Sequence, residues 1–258
     1  MVPSGNLVID GFSPALKQKI LAAARPREIP LRTVLVSQGR LPANIVFLTS
    51  GLASLVVTME DGASSEAGMR GRESMTGVST FLGTDLNHAD CIMQIPGKGL
   101  CVPRHTMVDL FETCDECRHS VLQIAQSEMN ISARLSACNL RHEAQARFAR
   151  WLLTASDRIG SETLLMSQEC FAAMLGTQRT TVSLVGGSLQ RLGLIRQSRG
   201  MIVLLDRPGL LAAACECYGI CRRSMYPLLG NLSPAIQLTP SFELSHPSFH
   251  REFEISHE

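Results

Sequence analysis

The chain has 258 residues, 45% of them hydrophobic, and a formal net charge of +1. That length suits about two domains, and the apolar content excludes wholesale disorder. A charge so near zero does not by itself point to nucleic acid. No apolar run reaches 18 residues, so no transmembrane helix is expected. The first six residues lack a charged segment followed by an apolar one. No signal peptide is therefore expected, and the chain is read as cytoplasmic. The nine cysteines are scattered rather than framed, which reads as reduced thiols.

Residues 7–24 are expected to form a short amphipathic helix, with Leu16, Ile20 and Leu21 on one face. Short β-prone runs follow at 33–36, 45–48, 52–59 and 91–95, punctuated by glycine. Asp61-Gly62 is a hairpin turn signal after the longest run. Such a pattern predicts a compact antiparallel barrel or jelly roll.

A long helix is predicted over 115–138, with two apolar seams. Leu122, Ala125, Met129 and Ser132 form one; Val121, Ile124, Ile131 and Leu135 form the other, interrupted by Glu128. A helix apolar on two sides must be covered on two sides. The β domain supplies one cover. The same helix of a second subunit is expected to supply the other, so Leu122, Ala125, Met129 and Ser132 are the candidate homodimer interface. The alternative, with both seams packed inside one subunit, stays open. Residues 139–155 are expected to continue as helix. Phe148, Trp151, Leu152 and Leu153 are its apolar residues, and Arg141, Arg147 and Arg150 are expected to be exposed.

The most informative stretch is 167–195. Ser167 is a good N-cap, and Phe171, Ala172 and Leu175 give the first helix an apolar face. Gly176 suits a sharp turn. Val182, Val185, Leu189 and Leu192 mark the buried stripe of a second helix, whose other face opens with Gln178, Arg179, Thr180 and Ser183. This is a helix–turn–helix, which sets its second helix in the DNA major groove. Runs at 194–197 and 201–205 bracket Ser198-Arg199-Gly200 as the hairpin wing of a winged helix. Residues 139–230 carry 11 basic and 6 acidic side chains, and all 11 cations are arginine. Arginine forks onto phosphate and guanine edges better than lysine does. The final 28 residues are acidic and poorly patterned, which suggests a mobile tail.

This order of elements resembles the Crp/Fnr family of transcription regulators. The strongest likeness is 174–185, Met-Leu-Gly-Thr-Gln-Arg-Thr-Thr-Val-Ser-Leu-Val, with 189–195 and 198–204 after it. The run 146–153 is similar to the family's helix leading into the DNA domain. In the β region the likeness rests on 37–39 and 45–51. The resemblance implies an α+β fold: an N-terminal β-roll (a double-stranded jelly roll), a long dimerisation helix and a C-terminal winged helix–turn–helix. It divides the chain into a sensory roll, 1–114, a dimer helix, 115–138, a DNA-binding domain, 139–230, and a tail, 231–258. It implies a homodimer on a palindromic double-stranded operator, with RNA polymerase as a partner and no membrane. The residues it offers to DNA are Ser167, Gln178, Arg179, Thr180, Ser183, Leu184 and Arg199.

Family members that bind cyclic nucleotides carry Gly-Glu-Leu and, about ten residues later, Arg-Ser/Thr-Ala. The corresponding stretch here is read as Gly77-Val78-Ser79 through Asn87-His88-Ala89. Val78 cannot accept a hydrogen bond and Asn87 carries no charge. A regulator whose effector is not a cyclic nucleotide is therefore expected. Two other readings are kept: a regulator that does respond to cyclic nucleotides, and an interaction protein whose helix–turn–helix does not read DNA.

The remaining constellations are weaker. Cys114 and Cys117 have the spacing of half a zinc site, with Cys101, His105 and His119 near in sequence. Cys215, Cys217 and Cys221 form a second cluster. His142-Glu143 opens a zinc-protease helix motif, but residue 146 is alanine. No catalytic nucleophile and base can be paired, so no enzyme, no cofactor and no metal site are expected.

Overall fold

The computed structural model describes residues 3–83, 87–166, 179–198 and 200–225, apart from the side chain of Arg179. Two short helices, α1 (Leu7–Gly11) and α2 (Pro14–Ala23), open the chain. The sequence predicts one helix here, and Pro14 explains the break. Proline lacks an N–H and drives the residue before it into extended backbone. Ser13 is accordingly extended, with ψ 151°, and its side chain caps α2 at Leu16. Asn6 caps α1 and is wholly buried; its side-chain amide also donates to the carbonyls of Leu48 and Ser74 at 2.9 and 3.0 Å.

Seven strands follow: β1 (Arg25–Ile29), β2 (Val34–Val36), β3 (Asn44–Leu48), β4 (Leu52–Thr58), β5 (Ser64–Arg70), β6 (Asp90–Ile95) and β7 (Gly97–Pro103). They make two antiparallel sheets, ordered β1-β7-β3 and β2-β6-β4-β5. The pairing of β4 with β5 turns at Gly62, whose φ of 84° glycine tolerates best. The runs predicted at 33–36, 45–48, 52–59 and 91–95 are β2, β3, β4 and β6. Three strands had not been predicted. β1 is mostly exposed and carries Arg25-Pro-Arg-Glu, while β5 and β7 contain glycine and polar residues. They lack the apolar alternation that marks a strand in sequence.

Strand β3 shows how the roll is built. Val46 and Leu48 pack between the sheets with Val36, Ala53, Cys91 and Met93. Ile45 and Phe47 point the other way, into a core shared with α1, α2 and two later helices, α3 (Arg104–Thr113) and α4 (Asp115–Arg141). The alternation of period two fills both faces. Each fully buried side chain of this size contributes about 1.5–3 kcal/mol.

Helix α4 is the long helix predicted over 115–138, and it runs three residues further, to Arg141. Val121, Ile124 and Ala125 are buried against the roll. Glu128, which breaks the second apolar seam, pairs with Arg70 of β5 at 2.6 Å. The chain turns out of helix at His142 and Glu143, with ψ near 150° at both, then enters α5 (Ala144–Ile159). One continuous helix through Ala155 is therefore corrected to two. Arg150, expected on the surface, is buried at the inner side of α5.

The C-terminal part continues with β8 (Thr163–Leu165), α6 (Arg179–Arg191), β9 (Ile195–Ser198), β10 (Met201–Leu204), α7 (Arg207–Ala213) and α8 (Cys217–Met225). The three strands form a small antiparallel sheet in the order β8-β10-β9. Its core joins Phe148, Trp151 and Leu152 of α5 to Val182 and Leu189 of α6 and Ile202 and Leu204 of β10. The same cluster includes Leu52, Val56 and Met69 of the roll. The two parts of the chain therefore meet through a shared apolar contact. None of the helices is long and apolar enough to cross a membrane, among the described residues.

Candidate nucleic-acid interface

Helix α6 buries Val182 and Leu189 completely and Val185 in part. Leu192, assigned to that stripe from sequence, is instead exposed: the helix ends at Arg191 and Gly193 adopts φ 72°, so Leu192 leaves the helical register. On the opposite side Thr180, Ser183, Leu184 and Arg191 are exposed. Their spacing of three, four and eleven from Thr180 puts them on one face. Leu184 is 73% exposed, an apolar side chain that no part of the described fold covers.

The helix is held tightly to the wing. Gln190 Oε1 accepts the backbone N–H of Gln197 at 2.7 Å. Gly186 faces the same strand, and a Cβ there would lie 2.7 Å from Gln197 Oε1. That close approach accounts for a glycine inside a helix, where it costs about 1 kcal/mol relative to alanine. β9 and β10 pair from Ser198↔Met201 to Ile195↔Leu204, and Gly200 closes the hairpin with φ 70°. Arg196 is exposed on β9, and Arg191 is exposed at the helix end. Sequence reasoning had not singled out either cation; their place in an arginine-only basic excess was the available signal.

Thr180, Ser183 and Leu184 thus share an exposed face. Arg179 is the first described residue of α6. Ser167, Gln178 and Arg199, with the whole first helix and its turn at Gly176, lie outside the described residues, as does the tail at 231–258.

On α4, Leu122 and Met129 are 44% and 65% exposed, and Ser132 is exposed as well. Ala125 is not with them. It packs inside the roll core, because the three-residue step from Leu122 turns it toward Val121 and Ile124. The open stripe runs instead through Leu122, Gln126, Met129, Ala133, Ser136 and Leu140, all exposed. Alternating steps of four and three make this a heptad seam on the side of α4 away from the roll.

Between the roll and the long helix lies a small cleft lined by Arg70, Glu73, Ser74, Ser127, Glu128 and Arg158, among others. Val78 is not in it; it is buried in the roll core with Phe81. Asn87 bonds locally, its amide donating to the Ala89 carbonyl. Of its two carboxylates, Glu73 lies 3.3 Å from Arg158 and accepts the Gly71 N–H at 3.1 Å, and Glu128 pairs with Arg70. Gly71 leaves room for this: a Cβ there would meet Glu73 Oε2 at 2.6 Å and Arg158 Cβ at 2.7 Å. Two guanidinium groups and two carboxylates therefore share the cleft, pairwise neutralised. Burial pushes the Glu128 carboxyl above its ordinary value, against the pull of Arg70. Sequence order hid this site because Arg158 comes from a different domain and Glu73 precedes the stretch taken for the cassette.

Among the thiols, burial pushes Cys91 and Cys117 up to about 12, which leaves them unreactive at neutral pH.

A roll of two antiparallel sheets, a long helix with one open seam, and a wing-braced helix with an open polar face define a winged helix–turn–helix regulator fold. Residues 146–213 match the Crp-like helix-turn-helix domain. Solved structures share the fold over most of the chain. A protein from Eubacterium rectale described as a transcriptional regulator of the Crp/Fnr family is 15% identical, with TM-score 0.63, over 82% of this chain and 99% of that one. The c-di-GMP-responsive global regulator CLP of Xanthomonas campestris is 18% identical, with TM-score 0.61, over 74% and 99%. FixK2 of Bradyrhizobium japonicum is 16% identical, with TM-score 0.62, over 74% and 98%. The chain therefore has the Crp/Fnr regulator fold. No curated protein is a significant match to its sequence.

Proposed function

We propose that the chain is a sequence-specific, DNA-binding transcription regulator that works as a homodimer in the cytoplasm. In this reading residues 1–114 sense a signal and α4 dimerises. Residues 139–230 read a palindromic operator, and RNA polymerase is the downstream partner. The observation that carries it is the exposed face of α6, with Thr180, Ser183, Leu184 and Arg191 open beside the wing, inside a segment that matches the Crp-like helix-turn-helix domain. A helix placed so enters the major groove with its first residues on base edges. The heptad seam supports the dimer, since a monomer would leave Leu122, Met129 and Leu140 in water. The effector is taken to be something other than a cyclic nucleotide, because among the described residues the two arginines that line the cleft, Arg70 and Arg158, are each paired with a carboxylate.

Selection of bound duplexes from a random pool tests this directly. The expected product is a two-fold symmetric sequence with half-sites about one helical turn apart, bound less tightly as salt rises. Enrichment of no sequence, with no salt-dependent shift on any duplex, would leave a protein that shares the fold without reading DNA.

A further inference from the structure

The fold brings together four side chains that are far apart in sequence. Cys138 is in the last turn of α4 and His142 is the residue that ends it. Cys215 and Cys217 come from the corner between α7 and α8. One ligand atom from each lies within 4.8 Å of the other three. Cys138 Sγ and Cys215 Sγ are 3.6 Å apart, and Cys217 Sγ is 3.7 Å from His142 Nδ1. Tetrahedral zinc with sulfur at about 2.3 Å sets its sulfur corners about 3.8 Å apart. The closest pairs already have that spacing, and the rest need to close by about an ångström.

The surroundings suit a metal as well. His142 turns Nδ1 to the sulfur cluster, and its Nε2 lies 3.1 Å from Glu216 Oε2. A carboxylate behind a ligating histidine fixes the ring and raises its basicity. Glu216 is itself held by Arg134 at 3.0 Å. Three thiolates and a divalent ion leave one negative charge. Arg134, which reaches Cys217, and Arg150, buried close enough to act on Cys138 and Cys215, are placed to balance it. The three sulfurs are buried, while His142 is half-buried and gives a way in.

We propose that Cys138, His142, Cys215 and Cys217 form a binding site for one thiophilic divalent metal ion of the zinc class. The metal would join the end of α4 to the start of α8, and so fix the C-terminal domain against the long helix. The proposal stands whether or not α6 reads DNA.

The test uses the full chain, reduced without thiols, stripped with chelator and titrated with Co²⁺ under anaerobic conditions. One Co²⁺ per chain is expected, with the visible bands of a tetrahedral site and sulfur-to-cobalt charge transfer, both erased by Zn²⁺. Cys215→Ser should abolish these spectra. His142→Ala, at a half-buried position, should weaken binding with unchanged circular dichroism, and Glu216→Gln should weaken it about 10- to 100-fold. Cys114→Ser, remote from the cluster, should bind as the native chain does. Zn²⁺ should slow amide exchange at 139–143 and 217–220 in the native chain but not in His142→Ala. A native chain that shows no tetrahedral spectrum overturns the site. So does equal loss in Cys114→Ser, or oxidation of Cys138 and Cys215 to a disulfide in a chain that takes up no metal when reduced.

Discussion

Trp151 donates its indole N–H to the carboxylate of Glu66 over 2.9 Å, across the boundary between α5 and strand β5. Ser54 donates to the other carboxylate oxygen at 2.5 Å. Desolvation nevertheless dominates, and it raises the Glu66 carboxyl from 4.5 to about 7 despite these two donors and the nearby Arg150 and Arg158. Between those values the folded chain keeps a proton that the unfolded chain has lost. Stability from this group is therefore present below pH 4.5 and falls as pH rises toward 7. The loss is at most about 3 kcal/mol, and less because the residue as a whole is only half-buried. Urea unfolding across this window should show the native chain losing ground to Glu66→Gln as pH rises. Parallel pH profiles for the two proteins would rule the assignment out.

Specificity should reside in Arg179. Arg179→Ala is expected to cost about 1–3 kcal/mol on the selected operator and to relax one position of each half-site. Arg199→Ala, read from the sequence as a phosphate contact, should weaken all duplexes alike and lower the salt slope by about one unit. Titrations of operator and random duplex at several salt concentrations separate the two. Equal behaviour of both variants would be incompatible with this division of labour.

Assembly should depend on Met129. It is 65% exposed, against 44% for Leu122, and it is central in the open seam of α4. In Met129→Asp a carboxylate would face its own copy across a two-fold axis, unpaired and desolvated. Sedimentation should then find a monomer with native circular dichroism and reduced operator affinity. A dimer that survives this change is held together by another surface.

Cyclic AMP and cyclic GMP should give no heat on titration. A cyclic phosphate entering the cleft would have to displace Glu73 from Arg158 or Glu128 from Arg70. Breaking a buried pair by removing one partner costs about 3–5 kcal/mol, which is a large part of the roughly 8 kcal/mol of a micromolar complex. Calorimetry that gave a micromolar dissociation constant would show the pairs opening for the ligand.

The legible parts of the sequence were those where one periodicity decides the structure. The stripe Val182, Val185, Leu189 and the run Phe148, Trp151, Leu152 each face one core, so helical spacing alone places them. Strands β5 and β7 were not legible because their burial depends on neighbours supplied by other strands. Ala125 was misplaced because alanine is small enough to suit either side of α4. The cleft and the sulfur cluster were invisible for a different reason. Glu73 meets Arg158, and Cys138 meets Cys215, only after the chain has folded back on itself, 77 residues later in the second case.

Helix α8 lies back along α4: Ser127 Oγ donates to the Ser224 carbonyl at 2.7 Å, and Arg134 meets Glu216 nearer the other end. With Trp151–Glu66 and Arg158–Glu73, this braces the C-terminal domain against both the roll and the long helix. A framework with spare struts does not sag when one is cut. Single substitutions at these joints should pass almost unnoticed in motion of the domain, whereas pairs drawn from different joints should free it, so that the coupling behaves like a truss rather than a hinge.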